Sequence, residues 1–185
     1  MMLRTGLLLL LAAGICACGC TQPGVTANEE EIAWNLTVAG DGEEVLTLAE
    51  VRALPAVEGY GHGVSTVGIV FGPDRYRGVL LTDLLDRVGG TGQDDLAYVS
   101  AEDGYLWVFD AEQLTGEGFF TFDENLKEIP PPPLRVILAY ERDGTPLPYD
   151  DGGPLRLVVV SDDPGVITEA SPWVKWVDRI EVHRR

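Results

Sequence analysis

Residues 134–160, LRVILAYERDGTPLPYDDGGPLRLVVV, hold the two apolar runs whose reading decides the fold. The runs at 134–140 and 155–160 are too continuous for half-exposed strands. They are also too short and too closely bounded by Gly and Pro for helices, so both read as buried strands. The loop between them is rich in Asp, Gly and Pro. Asp143-Gly144 supplies a turn, and Pro146 and Pro148 cannot donate to a ladder, so the connection is expected to bulge away from the sheet. Arg156 lies one residue into the second strand and puts a charge at the mouth of a core element.

The flanking chain continues the same pattern of short strands. Four prolines at 130–133 form a polyproline II spacer into the first of the central strands. Near the start, residues 34–38 (WNLTV) alternate as a strand, and Asp41-Gly42 turns it into a second one at 43–46. Thr47 and Glu50 form a capping box that opens a short helix, with Val51 and Leu54 on its apolar side and Pro55 as its stop. Residues 57–72 carry five glycines, His62 and the hydroxyls of Ser65 and Thr66, ahead of an apolar run at 67–71. A Gly-rich lead lets backbone approach a ligand closely, and His62 could bond it; a surface loop entering a core strand is the competing reading. The glycine spacing matches no phosphate loop or dinucleotide fingerprint. Pro73-Asp74 is expected to turn the chain, and 80–88 reads as an amphipathic helix closed by Gly89-Gly90. Strands at 96–100 and 105–109 flank the tight turn Asp103-Gly104. Phe119, Phe120 and Phe122 fall in an irregular stretch and read as core packing. Trp173 and Trp176 straddle the switch into a last strand at 178–183, which leaves His183 exposed. The sum is an α+β, mainly β domain with short helices.

The N-terminus reads as an export signal, with Arg4 as the positive region, an apolar run at 6–15 and small residues after it, too short to span a membrane comfortably. A small residue before a cysteine at the end of such a run resembles a lipoprotein signal. Cys20 fits by Gly19 before it and a polar Thr-Gln-Pro tether after it; Cys18 fits by Ile15 and Ala17. The reading favours Cys20, because cleavage there leaves no stray thiol; an ordinary signal peptide or a retained anchor are the alternatives. This gives a signal at 1–19, an acidic tether at 20–31 and a domain at 32–185, exported and anchored to the outer face of the membrane.

All three cysteines lie in that leader, so the folded part contains no disulfide, thiolate metal ligand or cysteine nucleophile. The formal net charge is −17, and removing 1–19 takes away only Arg4, leaving 12 − 30 = −18. Such a surface repels phosphate backbones and excludes nucleic acid as a natural partner.

Six ordered motifs carry a family resemblance. They are Trp34-x-Leu36-x-Val38-x-Gly40 with Leu46-Thr47-Leu48-x-Glu50, then Tyr76-x-Gly78-Val79-x-Leu81-x-Asp83-Leu84-Leu85, and Ala101-x-Asp103-Gly104-Tyr105. Ile137-Leu138-Ala139-Tyr140 with Gly144-x-Pro146-Leu147, Gly153-Pro154-Leu155-Arg156-Leu157, and Trp173-Val174-Lys175-Trp176 with Ile180-Glu181-Val182 complete the set. Together they resemble the oxidoreductase molybdopterin-binding domain of the sulfite-oxidase fold, in a short single-domain form. The resemblance implies molybdopterin as cofactor. Catalytic members hold molybdenum through a cysteine in the segment that matches residues 63–68, which here reads Gly-Val-Ser-Thr-Val-Gly with Ser65 or Thr66 in that place. A hydroxyl is a poor substitute for a soft thiolate. Where catalytic members carry a histidine in the central loop, this chain has Asp151 beside Asp150. Arg156 and Lys175 do match; Arg156 is read equally as a ligand contact or as the partner of Asp150 or Asp151.

The pocket candidates are therefore His62, Ser65, Thr66, Tyr105, Asp151, Arg156 and Lys175, with no confident catalytic or metal-ligating residue. Three functions stay open: an anchored module binding a small molecule or an envelope protein without molybdenum oxotransfer, a molybdopterin oxidoreductase or its subunit, and a structural envelope domain. Convergence of Ser65, Thr66, Tyr105 and Arg156 on one concavity argues against the last.

Overall fold

The computed structural model describes residues 32–185, so the signal, the lipidation candidates Cys18 and Cys20 and the tether lie outside the described residues. The domain is mainly β. Its elements in order are β1 (Asn35–Ala39), β2 (Glu43–Thr47), α1 (Leu48–Ala53), β3 (Val57–Val64), β4 (Val70–Leu80), α2 (Leu81–Asp86), β5 (Leu96–Ala101), β6 (Leu106–Phe109) and α3 (Ala111–Leu114). There follow β7 (Thr121–Phe122), β8 (Glu128–Ile129), β9 (Leu134–Arg142), β10 (Thr145–Pro146), a 3₁₀ turn at Tyr149–Asp151, β11 (Arg156–Ser161), β12 (Ile167–Glu169) and β13 (Val177–His183).

Two sheets divide these strands. One runs β2-β1-β13-β5-β6, with the first and last strands parallel neighbours, so the chain's described ends lie in one sheet. The other runs β10-β9-β11-β3-β12-β7-β8. In it β4 pairs with both β3 and β9, and β11 also pairs with both β9 and β3, so these four strands close into a ring. The central pair behaves as its sequence demands. Antiparallel register sets Arg156 opposite Ala139 and Val158 opposite Ile137, and every residue of β11 is buried. Full burial of a Leu or Val side chain contributes roughly 1.5–3 kcal/mol, so this pair is the main apolar anchor of the domain.

The ring closes because β3 presents glycine to its interior. Gly59, Gly61 and Gly63 form the buried face of that strand. A Cβ at Gly59 would stand 2.8 Å from the Val160 side chain, and one at Gly61 would stand 2.7 Å from the Tyr76 ring and 2.9 Å from Val158. A Cβ at Gly63 would meet the Phe71 ring at 2.7 Å. The glycines expected to make room for a ligand thus make room for the protein's own Val160, Tyr76 and Phe71.

Four further expectations are corrected. Pro73-Asp74 does not turn the chain. Both residues lie inside β4, opposite an irregularity between Gly61 and Gly63, and the reversal comes earlier, where Ser65 N donates to Ile69 O at 2.9 Å and Gly68 N to Ser65 O at 2.9 Å. The run 67–71 is not a core strand, since Val67 is 78%, Ile69 63% and Val70 42% exposed. Pro146 pairs with Glu141 in the edge strand β10, a position where a missing N–H leaves no ladder bond unmade. Of the three phenylalanines, Phe119 is buried but Phe120 is 57% exposed.

The capping box is present as read. Thr47 Oγ1 accepts from Glu50 N, and the Glu50 carboxylate accepts from Thr47 N at 2.8 Å. The C-terminal strand is clamped by Arg184, which donates to Asp95 at 2.6 Å, to Asp41 at 2.8 Å and to Gly90 O at 3.0 Å.

Two outcomes follow from these contacts. Gly78→Ala would set a Cβ 2.2 Å from Leu138 O at the bulge between β4 and β9, so urea unfolding is expected to register a loss of about 1–3 kcal/mol. Gly42→Ala, with nothing within 4 Å, is expected to leave the midpoint unchanged. Asp95 is held below its ordinary value by the bond from Gly92 N and then by Arg184. Because folding lowers this pKa, the stabilisation is complete above the ordinary carboxylate range and is lost as the pH falls towards the folded value. Asp95→Asn should accordingly flatten the acid limb of a stability-against-pH curve.

Candidate functional site

Three elements meet at one end of the domain. The β5–β6 turn carries Asp103 and Tyr105, the segment after β12 carries Ala170 and Ser171, and the stretch entering β13 carries Trp173, Lys175 and Trp176. These residues line a cleft of about 230 Å³. That volume is below the ~300–1,000 Å³ of typical small-molecule pockets, so it suits a one- or two-ring group whose remainder projects into solvent.

Each wall is fixed by the backbone around it. Tyr105 N donates to Asp103 Oδ1 at 2.9 Å, and its hydroxyl donates to Ser171 O at 2.8 Å across the cleft. Trp176 takes a positive φ of 49°, and its indole N–H donates to Tyr149 O at 2.7 Å. Lys175 is exposed, with its ammonium 5.6 Å from the Trp176 ring centroid. The Lys175 stem lies against Gly152, where a Cβ would stand 2.4 Å from Cγ; the positive φ of 88° there also suits glycine. Trp173 is buried and meets Phe71 and Tyr76 edge-on, at centroid distances of 5.3 and 6.0 Å.

Behind Trp173 lies a buried polar group. Arg156 is only 8% exposed, its guanidinium 5.6 Å from the Trp173 ring centroid and its Nη1 donating to the backbone carbonyl of Asp151 at 3.3 Å. The Asp151 carboxylate belongs to Arg142, at 2.5 Å. The expected pairing of Arg156 with an aspartate side chain is therefore replaced by a carbonyl bond and an aromatic face. Burial pushes the Arg156 pKa down, with the neighbouring Arg142 charge adding to it. Burial pushes the Tyr76 hydroxyl up. Burial also opposes the charge of Arg142, but the Asp151 carboxylate and the Tyr76 hydroxyl hold its pKa above the ordinary value. Arg156 Nε and Trp173 Nε1 are both buried donors without a hydrogen-bond partner.

The remaining candidates fall elsewhere. His62 Nδ1 lies 3.0 Å from Pro164 O, on the solvent side of β3. Ser65 Oγ accepts from Ile69 N at 3.0 Å within its own turn, and Thr66 is exposed at the hairpin tip. Of the four residues tested for convergence, Tyr105 lines the cleft, Arg156 stands one ring behind it, and Ser65 and Thr66 do not reach it. Lys175 does line it. Sequence reasoning passed over Trp173 and Trp176 as site residues. The available signal was their position on either side of Val174-Lys175, which puts two rings beside one ammonium.

The donor chemistry separates the two parts of the implied cofactor. A pterin ring offers acceptors and a flat face, and the cleft offers the Lys175 ammonium and aromatic faces to meet them, the Tyr105 hydroxyl and the Trp176 indole N–H being already donated to backbone carbonyls. Molybdenum does not fit the hydroxyls of Ser65 and Thr66, one committed to its own turn and the other on an exposed tip. Among the described residues no cluster of three or more His, Cys, Asp or Glu is placed to hold a metal ion.

Comparison with known proteins identifies the fold and the family. The chain is 31% identical to mitochondrial sulfite oxidase of Homo sapiens over 152 residues, which cover 82% of this chain and 24% of that protein. It is 38% identical to the nitrate reductase [NAD(P)H] of Hordeum vulgare over 109 residues, covering 58% of this chain and 11% of that one. It thus spans about a quarter of the sulfite oxidase and less of the reductase. The sulfane dehydrogenase SoxCD of Paracoccus pantotrophus shares the fold, with a TM-score of 0.62 at 20% identity over 82% of this chain and 38% of that chain. The family model for the oxidoreductase molybdopterin binding domain matches residues 23–185, and the chain belongs to that family.

Proposed function

We propose that this chain is a ligand-binding module on the molybdopterin-binding fold, lipid-anchored through Cys20 on the outer face of the membrane, which does not carry out molybdenum oxotransfer. Its ligand is a flat, acceptor-rich ring bearing an anionic group. The observation that carries this reading is the cleft itself, which Tyr105, Trp173, Lys175 and Trp176 line together, the Lys175 ammonium 5.6 Å from the Trp176 ring centroid, while Ser65 and Thr66 do not line it. A bound anion would sit against Lys175, and the aromatic walls would stack on the ring and exclude water from it. The competing reading, a molybdopterin oxidoreductase or its subunit, draws on family membership and on Lys175 and Arg156 matching the family pattern.

The test begins with mature protein purified from its native envelope and analysed for molybdenum and for pterin fluorescence after oxidative release. Molybdenum well below one atom per chain is expected; stoichiometric molybdenum with pterin would overturn the proposal in favour of the oxidoreductase. On the same protein, pterin-6-carboxylate should quench tryptophan fluorescence saturably. Lys175→Ala should weaken that binding about tenfold, near 1.4 kcal/mol, without moving the unfolding midpoint. Arg156→Ala should behave oppositely, lowering stability by about 2 kcal/mol through lost packing and cation–π contact with Trp173. Unchanged stability there would make Arg156 a binding residue.

A further inference from the structure

Between Glu58 and Asp74 the chain contains no Asp, Glu, Lys or Arg, although its net charge is −17. At the tip of this uncharged β3–β4 hairpin, Val67, Ile69 and Val70 are exposed. The β7–β12 register pairs Thr121 with Thr168, so Phe120, also exposed, falls opposite Glu169, which itself pairs with Val64 at the base of the hairpin. Three exposed aliphatic side chains thus stand at the hairpin tip, and an exposed aromatic ring follows on from the strand beside its base, on a chain that carries 30 Asp and Glu. Packing within the domain does not account for them.

The described chain begins near the Trp176 side of the cleft. Trp34 donates from Nε1 to Val177 O at 2.7 Å, and its ring lies 6.4 Å from Tyr149, which lies 5.8 Å from Trp176. Trp176 and Ala170 both line the cleft, and Ala170 N donates to Val64 O at 2.9 Å, directly below the hairpin tip. The point where residues 20–31 join the domain and the apolar tip therefore flank the same cleft. Twelve residues reach at most about 40 Å, enough for a lipidated Cys20 to hold both near one surface.

We infer that the tip formed by Val67, Ile69 and Val70, with Phe120 beside it, inserts into the interfacial layer of a lipid bilayer as a second contact, turning the cleft towards the membrane. This rests on the lipid-anchored reading above. The occupant is lipid because the tip is uncharged and carries small aliphatic side chains with one aromatic ring, the composition that partitions at a bilayer interface. The acidic remainder of the surface, which includes Glu169 paired with Val64, favours zwitterionic over anionic lipid.

The test uses the lipidated mature chain in phosphatidylcholine vesicles containing nitroxide-labelled lipid. Residues 21–185 contain no cysteine, and an acylated Cys20 offers no thiol, so a fluorophore placed by Val67→Cys is unique. Gly42→Cys, in the turn at the far end of β1, is the control. The label at 67 is expected to be quenched at least about threefold more than the label at 42, and adding Ile69→Asp should remove most of that difference. Co-sedimentation with vesicles but equal quenching at both positions would overturn the inference and leave the anchor intact. A spectral shift at 67 that follows protein density rather than nitroxide content would assign the tip to a second copy and overturn it too. Loss of co-sedimentation with no acyl mass on Cys20 would instead overturn the anchored reading on which it stands.

Discussion

The closure of β3, β4, β9 and β11 depends on a strand face made of glycine. At Gly59, Gly61 and Gly63 a methyl group would stand inside the contact distance of Val160, Tyr76 or Phe71. Because those positions are bare, Tyr76 and Phe71 can turn inwards and meet Trp173 edge-on. Trp173 in turn forms the rear wall of the cleft and the face against which Arg156 rests. The cost of a glycine-rich strand is entropic, roughly 0.5–1 kcal/mol per residue relative to alanine. Burying three aromatic rings against one another outweighs it, since each ring removes on the order of 150–250 Å² from water.

The arginines behind the cleft show why counting charges does not give their pairing. Arg142 and Arg156 share a neighbourhood that contains one close carboxylate, Asp151, and Arg142 takes it. Arg156 is left with a carbonyl, an indole face and a second positive charge nearby, which is why its pKa falls while that of Arg142 rises. A buried cation without a carboxylate is costly, and two neighbouring N–H donors without acceptors add to that cost. The guanidinium offsets that cost by its packing against the Trp173 face, so removing the whole side chain loses stability.

Elements whose signal is local were legible in the sequence. The β9 and β11 strands followed from two apolar runs, the β1–β2 and β5–β6 hairpins from Asp-Gly turns, and α1 from the capping box of Thr47 and Glu50. The β3–β4 region was not legible, because its buried residues are glycines and its exposed ones are Val67, Ile69 and Val70, the reverse of the usual pattern. That inversion moved the expected turn from Ser65–Gly68 to Pro73-Asp74. Tyr105 and Lys175, named as candidates through the family motifs, both line the cleft. Trp173 and Trp176 were passed over because an aromatic ring in a short apolar run reads as core, and only the assembled cleft shows its other face.

Ring closure and the chemistry of the β3–β4 turn are carried by different residues of this domain. Ser65 bonds within its own turn and Thr66 faces solvent, so neither contributes to the ring, to the contacts of Trp173 or to the β1–β13 pairing. Residues at that turn are free to change without a penalty in packing, since the closure is secured by glycines two to six residues earlier. The fold therefore carries no information about what sits at the tip of the β3–β4 hairpin. Chemistry at that tip has to be argued from the side chains present there, and in this chain they are hydroxyl and aliphatic.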